Sequence, residues 1–310
     1  MYLLTINIEK KSIKEIMSSV LSLINIFTIV IFIIGIIDPF LRYKIMNFLG
    51  SYLLSGLKNL IYENTILNEY RYTSYMGHAL FTKELFIYFY LLNIIYFKKF
   101  KKTKLNITLV TFISLIGILL TGSKTGTVLI LICILFTNYK KSKFINFIIG
   151  SLILVGSYLA GFFNTVMYRL NNETLTSGRY QAGEMLNNLS IIKVKIFSGY
   201  GEYVDRKISC FLGDNWTTAA LEYPYKILFF KYGLLCTLFI FYTVFIFPIV
   251  EFIKNKEYYI LFAFLIKVID INTYNGIIFK PDNMILFLIF TIMLINLCRF
   301  NKEDIRERHD

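Results

Sequence analysis

Unbroken apolar runs of membrane-crossing length follow one another along this chain, separated by short lysine-rich links and by one long polar stretch. A helix crosses the hydrocarbon core of a bilayer with about 20 apolar residues, about 17 at the short end. Runs of this kind lie at about 17–37, 79–97, 105–121, 125–139, 144–163, 232–250, 258–272 and 283–298. The third and fourth are short and are joined by Thr121-Gly-Ser-Lys-Thr-Gly126, which reads as a tight hairpin. The pattern predicts an all-α polytopic membrane protein with about eight transmembrane helices, forming a single integral membrane domain over residues 1–310. The polar stretch, Asn164 to Lys231, falls between the fifth and sixth runs and is expected to be one large extracytoplasmic loop.

Charge sets the orientation. Lys10, Lys11 and Lys14 precede the first run, Lys98, Lys99, Lys101, Lys102 and Lys104 follow the second, and Lys140, Lys141 and Lys143 follow the fourth. Lysine-rich links favour the cytoplasmic side. An even number of spans then leaves both termini cytoplasmic, with Lys254, Lys256, Lys302, Arg306 and Arg308 on the same side. Four segments face outward: Asp38 to Gly77, the Gly122–Thr125 turn, the large loop, and Thr273 to Asn283. Within the first, the apolar patch Phe48 to Leu60 fits an interfacial amphipathic helix or a weak extra span. The charge rule favours the former, since an extra span would carry the five-lysine link outside.

Composition narrows the class. With 56% hydrophobic residues and a mean hydropathy of +0.59 over 310 residues, the chain is unlike a soluble domain. The net charge of +13 would suggest nucleic acid in a soluble protein. Here many of the lysines sit in links between apolar runs, so no nucleic-acid partner is expected. Cys133, Cys236 and Cys298 lie in apolar runs and Cys210 stands alone in the loop, which gives no disulfide or zinc framework. The first run is too long for a signal-peptide core and is expected to remain as an anchor.

Candidate chemistry lies in the outward segments. In Leu-Leu-Thr-Gly-Ser-Lys124-Thr-Gly, Gly122 and Gly126 permit a tight turn whose backbone amides can approach a phosphate, with Lys124 beside them. A lysine that snorkels to the surface is the competing reading. In Thr176-Ser-Gly-Arg179, Ser177 reads as the cap of a helix over YQAGEMLNNLSIIKV, so Arg179 enters the first turn, where amides and dipole favour an anion. Its planar guanidinium suits a diphosphate better than a lysine does. Arg71 lies in EYRYTSYMGH ahead of the second run, and His78 closes that segment as a candidate base or as a hydrogen-bonded structural residue. Farther on, Asp214 or Glu222 would take a proton from a sugar hydroxyl, and Trp216 would stack on a sugar ring. Tyr180 and Tyr203 complete a sugar-facing set; for Trp216, as for Tyr223 and Tyr225, the ordinary role of aromatics at a lipid interface is the competing reading. No DxD or ExD pair stands in the outward segments and histidines are too few for a metal site, so the reading is free of metal and cofactor. Lys267 and Asp270, three apart inside a late run, read as an intramembrane ion pair that steadies the bundle.

The order of these motifs, RYTSYMGH, TGSKTG, SGRY, then GYG and DNW ahead of KYGLLCTLF, resembles the O-antigen polymerase and ligase superfamily (Wzy-like) from about Glu69 to Arg299. The resemblance implies a glycosyltransferase at the outer face of the bacterial inner membrane that acts on undecaprenyl-diphosphate-linked oligosaccharides. It places Arg71 at the family's arginine before a span, Lys124 in place of the arginine of its Ser-Arg-Gly turn, and Arg179 at the large-loop arginine. Asp214 stands before Asn215 where ligase-like members have histidine, which favours a polymerase over a ligase. A flippase or transporter of the same lipid is the rival from another class. A chain-length regulator and a flippase are the implied partners, together with membrane lipid. Members of the family carry several more spans on the N-terminal side, so this chain is short for the group.

Overall fold

The computed structural model describes residues 10–52, 71–138, 166–167, 171, 179–188, 193–201, 203–212, 224–273 and 281–306. All regular structure among them is helical, with no strand. The elements are α1 (Lys10–Ile37), α2 (Lys44–Tyr52), a 3-10 turn (Ser74–Met76), α3 (Ala79–Phe100), α4 (Ile107–Leu120) and α5 (Lys124–Asn138), followed by α6 (Arg179–Asn188), α7 (Tyr203–Leu212), α8 (Pro224–Tyr232), α9 (Leu234–Phe241), a π segment (Tyr242–Ile246), α10 (Phe247–Lys254), α11 (Tyr258–Asn272) and α12 (Pro281–Arg306). Among the described residues, three helical stretches are long and apolar enough to cross a membrane: Ile13–Ile37, Ala79–Phe100 and Leu234–Lys254. Shorter apolar helices occupy Ile107–Leu120, Lys124–Thr137 and Met284–Arg299. The chain is thus an all-α membrane protein. The expected run at 144–163 lies outside the described residues.

The chain divides into two compact units, Ile16–Glu173 and Met1–Glu15 with Thr174–Asp310. In the first, α3 is the central helix and is buried along most of its length. Gly117 brings α4 close to it: a Cβ there would run into the ring of Phe86. Two buried amides tie α1 to α3, Asn93 Nδ2 donating to Asn25 Oδ1 at 2.7 Å and to the Phe89 carbonyl at 2.8 Å. An amide pair is self-satisfying in an apolar surround because each side chain carries both donor and acceptor. Tyr72, fully buried, joins α1 to α4. Its hydroxyl donates to the Ile31 carbonyl at 2.7 Å, its amide donates to the Leu120 carbonyl at 3.0 Å, and its ring lies against Gly35. Asp38 caps the short α2, accepting from the amides of Ile45 (2.8 Å) and Met46 (3.3 Å), while burial pushes its carboxyl above the usual range. The patch at 48–60 is helical as far as Tyr52, and its remainder lies outside the described residues.

In the second unit, α9, the π segment and α10 form one continuous helical span. The π turn has a local cause in Pro248. Proline lacks the N–H that its i−4 carbonyl would accept, and its ring crowds that carbonyl. The helix widens one turn earlier, and the Phe247 amide donates five residues back to the Tyr242 carbonyl. A chain of aromatic contacts then packs the span on α11 and α12: Phe252 with Phe264 (5.5 Å between centroids), Phe264 with Phe287 (5.8 Å) and Phe287 with Phe245 (6.1 Å). The Lys267–Asp270 ion pair expected from the sequence is present at 2.9 Å, both side chains fully buried. Arg299 Nε donates to Glu251 Oε1 at 3.0 Å, which fastens α12 to α10.

Candidate functional site

At one end of the unit Ile16–Glu173 the structure assembles two of the cationic residues singled out above, Arg71 and Lys124. The turn between α4 and α5 is built as a double cap. Gly122, at φ +61°, ends α4 with its amide on the Leu119 carbonyl at 2.9 Å. Ser123 caps α5, its Oγ accepting from the Gly126 amide at 3.1 Å. Lys124 is thereby the first residue of α5, half-buried. The amides of Gly122 and Gly126, which the sequence offered to a phosphate, are therefore engaged within the turn. An anion at this end meets side chains and helix dipoles rather than those two N–H groups. Gly126 has a different use: a Cβ there would fall 2.6 Å from Lys83 Cγ, so the glycine makes room for the lysine stem.

Arg71 reaches the same turn, its Nε donating to the Thr121 carbonyl at 3.2 Å. This sets a cation on the negative end of α4, which is favourable in itself and uses one of the five guanidinium donors. His78 caps α3: its Nδ1 accepts from the Leu80 amide at 3.2 Å, which requires that nitrogen to be unprotonated. Any proton transfer by this ring would run through Nε2. Close by, Thr82 Oγ1 donates to the Thr73 carbonyl at 2.6 Å and lies 2.8 Å from Ser74 Oγ, which holds Ser74 at φ +48° despite its side chain. Such a conformation persists in a non-glycine residue only when its surroundings fix it. Helices α3 and α5 thus start at this end while α4 finishes there, so two positive dipole ends accompany Arg71, Lys83 and Lys124. The five-lysine link, with Lys101, Lys102 and Lys104 exposed, lies at the opposite end of α3.

Lys83 and its neighbour Glu84, both buried, were missed by the sequence reading because hydropathy averages them into an apolar run. Their signal was available: charged residues within a span are costly and mark function or pairing.

The described part of the polar loop has a core of its own. Ala182 and Leu186 of α6, Val204 and Ile208 of α7, and Ile227 and Phe230 of α8 are buried against one another, with Tyr200 packed on them. Lys226 Nζ donates to the Gly183 carbonyl (3.3 Å) and Asn187 Oδ1 (2.8 Å), tying α8 to α6, and partial burial lowers its pKa. The helix α6 occupies Arg179–Asn188, within the stretch expected to be helical, while Lys193 and Val194 at the end of that stretch are not helical. The side chain of Arg179 and the expected cap Ser177 lie outside the described residues. Tyr180 is exposed, and its hydroxyl is raised by a hydrogen bond to Glu184 and by that carboxylate's charge. Tyr203 is exposed on α7. Asp214, Trp216 and Glu222 lie outside the described residues.

Between α8 and α9 the backbone breaks at Gly233 (φ +81°, ψ 173°), and the irregular segment 193–201 fills the break. The amides of Tyr200 and Gly201 donate to the carbonyls of Phe230 (2.7 Å) and Lys231 (3.1 Å), which end α8. In return the carbonyls of Lys195 and Ile196 accept from the amides of Leu234 (2.9 Å) and Leu235 (3.1 Å), which start α9. Groups that a helix end leaves unpaired are therefore satisfied by the loop. Beside the break, the ammonium groups of Lys195 and Lys207 each stand 4.3 Å from the ring centroid of Tyr200.

Arg71, Lys124 and His78 are brought to one end of one unit; Arg179, Tyr180 and Tyr203 belong to the other. Comparison with family models, with curated proteins and with solved structures gave no match to this chain.

Proposed function

We propose that this chain is a metal-independent polyprenyl-diphosphate-glycan transferase of the O-antigen polymerase type, with eight spans, the large loop outside the bacterial inner membrane, and both termini in the cytoplasm. The growing glycan leaves one undecaprenyl diphosphate and joins a sugar hydroxyl of a second lipid-linked repeat unit. The observation that carries this reading is the gathering of Arg71, Lys83 and Lys124 with the starts of α3 and α5 at one end of a helical unit. Such an end suits a diphosphate whose charge grows as the glycan leaves. The lysine-rich far end of α3 favours this orientation, since lysine-rich links tend to stay cytoplasmic and the Arg71 end would then face outward.

In this mechanism the energy resides in the donor anhydride. The protein supplies alignment of two lipid-held substrates and cations aimed at the departing diphosphate. Arg71, Lys124 and Arg179 bind the diphosphate, Asp214 takes the proton of the acceptor hydroxyl with Glu222 and His78 as alternatives, and Trp216, Tyr180 and Tyr203 face the sugars. A charge-assisted hydrogen bond contributes roughly 1.5–3 kcal/mol, so removal of one cation is expected to slow transfer by about 10- to 150-fold.

The test uses purified protein in liposomes, a synthetic undecaprenyl-diphosphate repeat unit and a chelator, with products resolved by size. A ladder from wild type that is lost in Arg179→Ala and in Lys124→Ala supports the reading. Transfer to a lipid A core or a protein instead would identify a ligase. No ladder from folded protein, together with movement of the lipid across the bilayer, would replace the transferase by a transporter.

A further inference from the structure

Segment 193–201 carries a second feature that the reaction does not use. Its backbone is committed to the break at Gly233, yet Val194, Ile196 and Phe197 point away from the loop core, with Phe197 83% exposed. Three outward apolar side chains within four residues, interleaved with Lys195 and preceded by Lys193, are poorly suited to water. Their place along the chain explains them. The Ile196 carbonyl is bonded to the Leu235 amide, in the first turn of the membrane-length stretch Leu234–Lys254. On that stretch Leu235, Leu238 and Phe239 are also exposed, as a lipid-facing surface requires. The loop patch is fixed to the residues where that surface begins.

The charges follow the same geometry. Tyr200 holds the ammonium groups of Lys195 and Lys207 at one ring. Both cations are thereby fixed beside the apolar patch, where an anionic headgroup can reach them. We propose that segment 193–201 with α7 is a bilayer-surface contact: Ile196 and Phe197 enter the interfacial layer of the leaflet from which α9 departs, and Lys193, Lys195 and Lys207 take the phosphates of anionic phospholipids. Apolar insertion beside basic residues is the physical basis of interfacial binding to anionic membranes. The proposal rests on the membrane span and the loop geometry, and holds whichever reaction the protein performs.

The experiment uses the full chain reconstituted in vesicles of phosphatidylcholine, with or without phosphatidylglycerol. Trp216, the single tryptophan, is replaced by phenylalanine, and Phe197→Trp supplies the probe; its exposed position makes the exchange harmless to packing. Leu235→Trp in the same background serves as a depth reference. The Phe197→Trp variant is expected to emit at short wavelength and to be quenched by lipids brominated high on the acyl chain. Spin-labelled phosphatidylglycerol is expected to be retained several-fold more than spin-labelled phosphatidylcholine, and Lys195→Gln/Lys207→Gln is expected to remove that preference. Water-like emission without quenching in Phe197→Trp, while Leu235→Trp is quenched, overturns the insertion. Equal retention of both lipids, or a preference untouched by the double variant, overturns the headgroup assignment. Shielding of the Phe197→Trp indole from lipid with crosslinking between copies would show that a second protein molecule covers the patch, and would overturn the proposal as well.

Discussion

The two glycines of Gly199-Tyr-Gly201 look equivalent in sequence, and the structure predicts that they respond very differently to alanine. At Gly199 a Cβ would collide with the carbonyl oxygens of Lys231 and Phe230, both backbone atoms within a helix end. Neither can move without dismantling α8, so the segment itself must lift. Lifting breaks the Tyr200 and Gly201 bonds and strains those of Lys195 and Ile196. At a net 0.5–1.5 kcal/mol each, the four bonds amount to about 2–6 kcal/mol, and Gly199→Ala is expected to cost about 2–4 kcal/mol. Gly201 stands at φ +60° with nothing within 4 Å of its added Cβ, so Gly201→Ala meets only the left-handed backbone penalty of about 1–2 kcal/mol. Gly201→Asn should recover part of it. Thermal unfolding in detergent, followed by size-exclusion recovery, ranks the variants. Trypsin supplies a local readout, because Lys193 and Lys195 lie in the clasped segment and should be cut sooner in Gly199→Ala. Equal stability and equal cutting of Gly199→Ala and Gly201→Ala would refute the clasp.

Further outcomes follow from the same kind of contact. Gly117→Ala drives a methyl into the Phe86 ring and should destabilise the α3–α4 packing by about 1–3 kcal/mol, measured by the same unfolding assay. His78→Asn preserves an N-cap and His78→Ala loses about 1 kcal/mol of it; if both abolish transfer the imidazole is chemical, and if only the alanine variant weakens the protein its role is the cap. Lys267→Met leaves Asp270 buried without its ion-pair partner and should cost about 3–5 kcal/mol, while Lys267→Met/Asp270→Leu should recover most of that loss. Retained transfer in the double variant would remove any coupling role for the pair.

What the sequence disclosed and what it withheld divide along physical lines. Apolar runs were legible because bilayer thickness imposes a length on them, and the helix over Arg179–Asn188 was legible as a helix-compatible stretch. The turn at Thr121–Gly126 was legible as a turn, but not the engagement of its amides, since Ser123 Oγ competes for the Gly126 N–H only once α5 has formed. Lys83 was hidden by the apolar residues around it. The clasp left little mark: it is made by backbone groups that every residue but proline possesses, between segments 30 to 39 residues apart. Its traces, Gly199 and Gly233, are indistinguishable in sequence from ordinary flexible glycines.

The clasp also bears on how the loop keeps its height at the membrane. A helix interrupted where it meets the bilayer leaves carbonyls of α8 and amides of α9 near hydrocarbon, where each unsatisfied group costs several kcal/mol. Satisfying them with backbone from 193–201 fixes the segment's register without recruiting a single side chain. The side chains are then left to serve the surroundings, Tyr200 inward to the loop core and Phe197 outward. A replacement of Phe197 should therefore change lipid contact while leaving stability in detergent nearly unchanged, whereas one of Gly199 should change both. That separation cannot arise if side-chain packing, rather than the backbone exchange at Gly233, holds the segment in place.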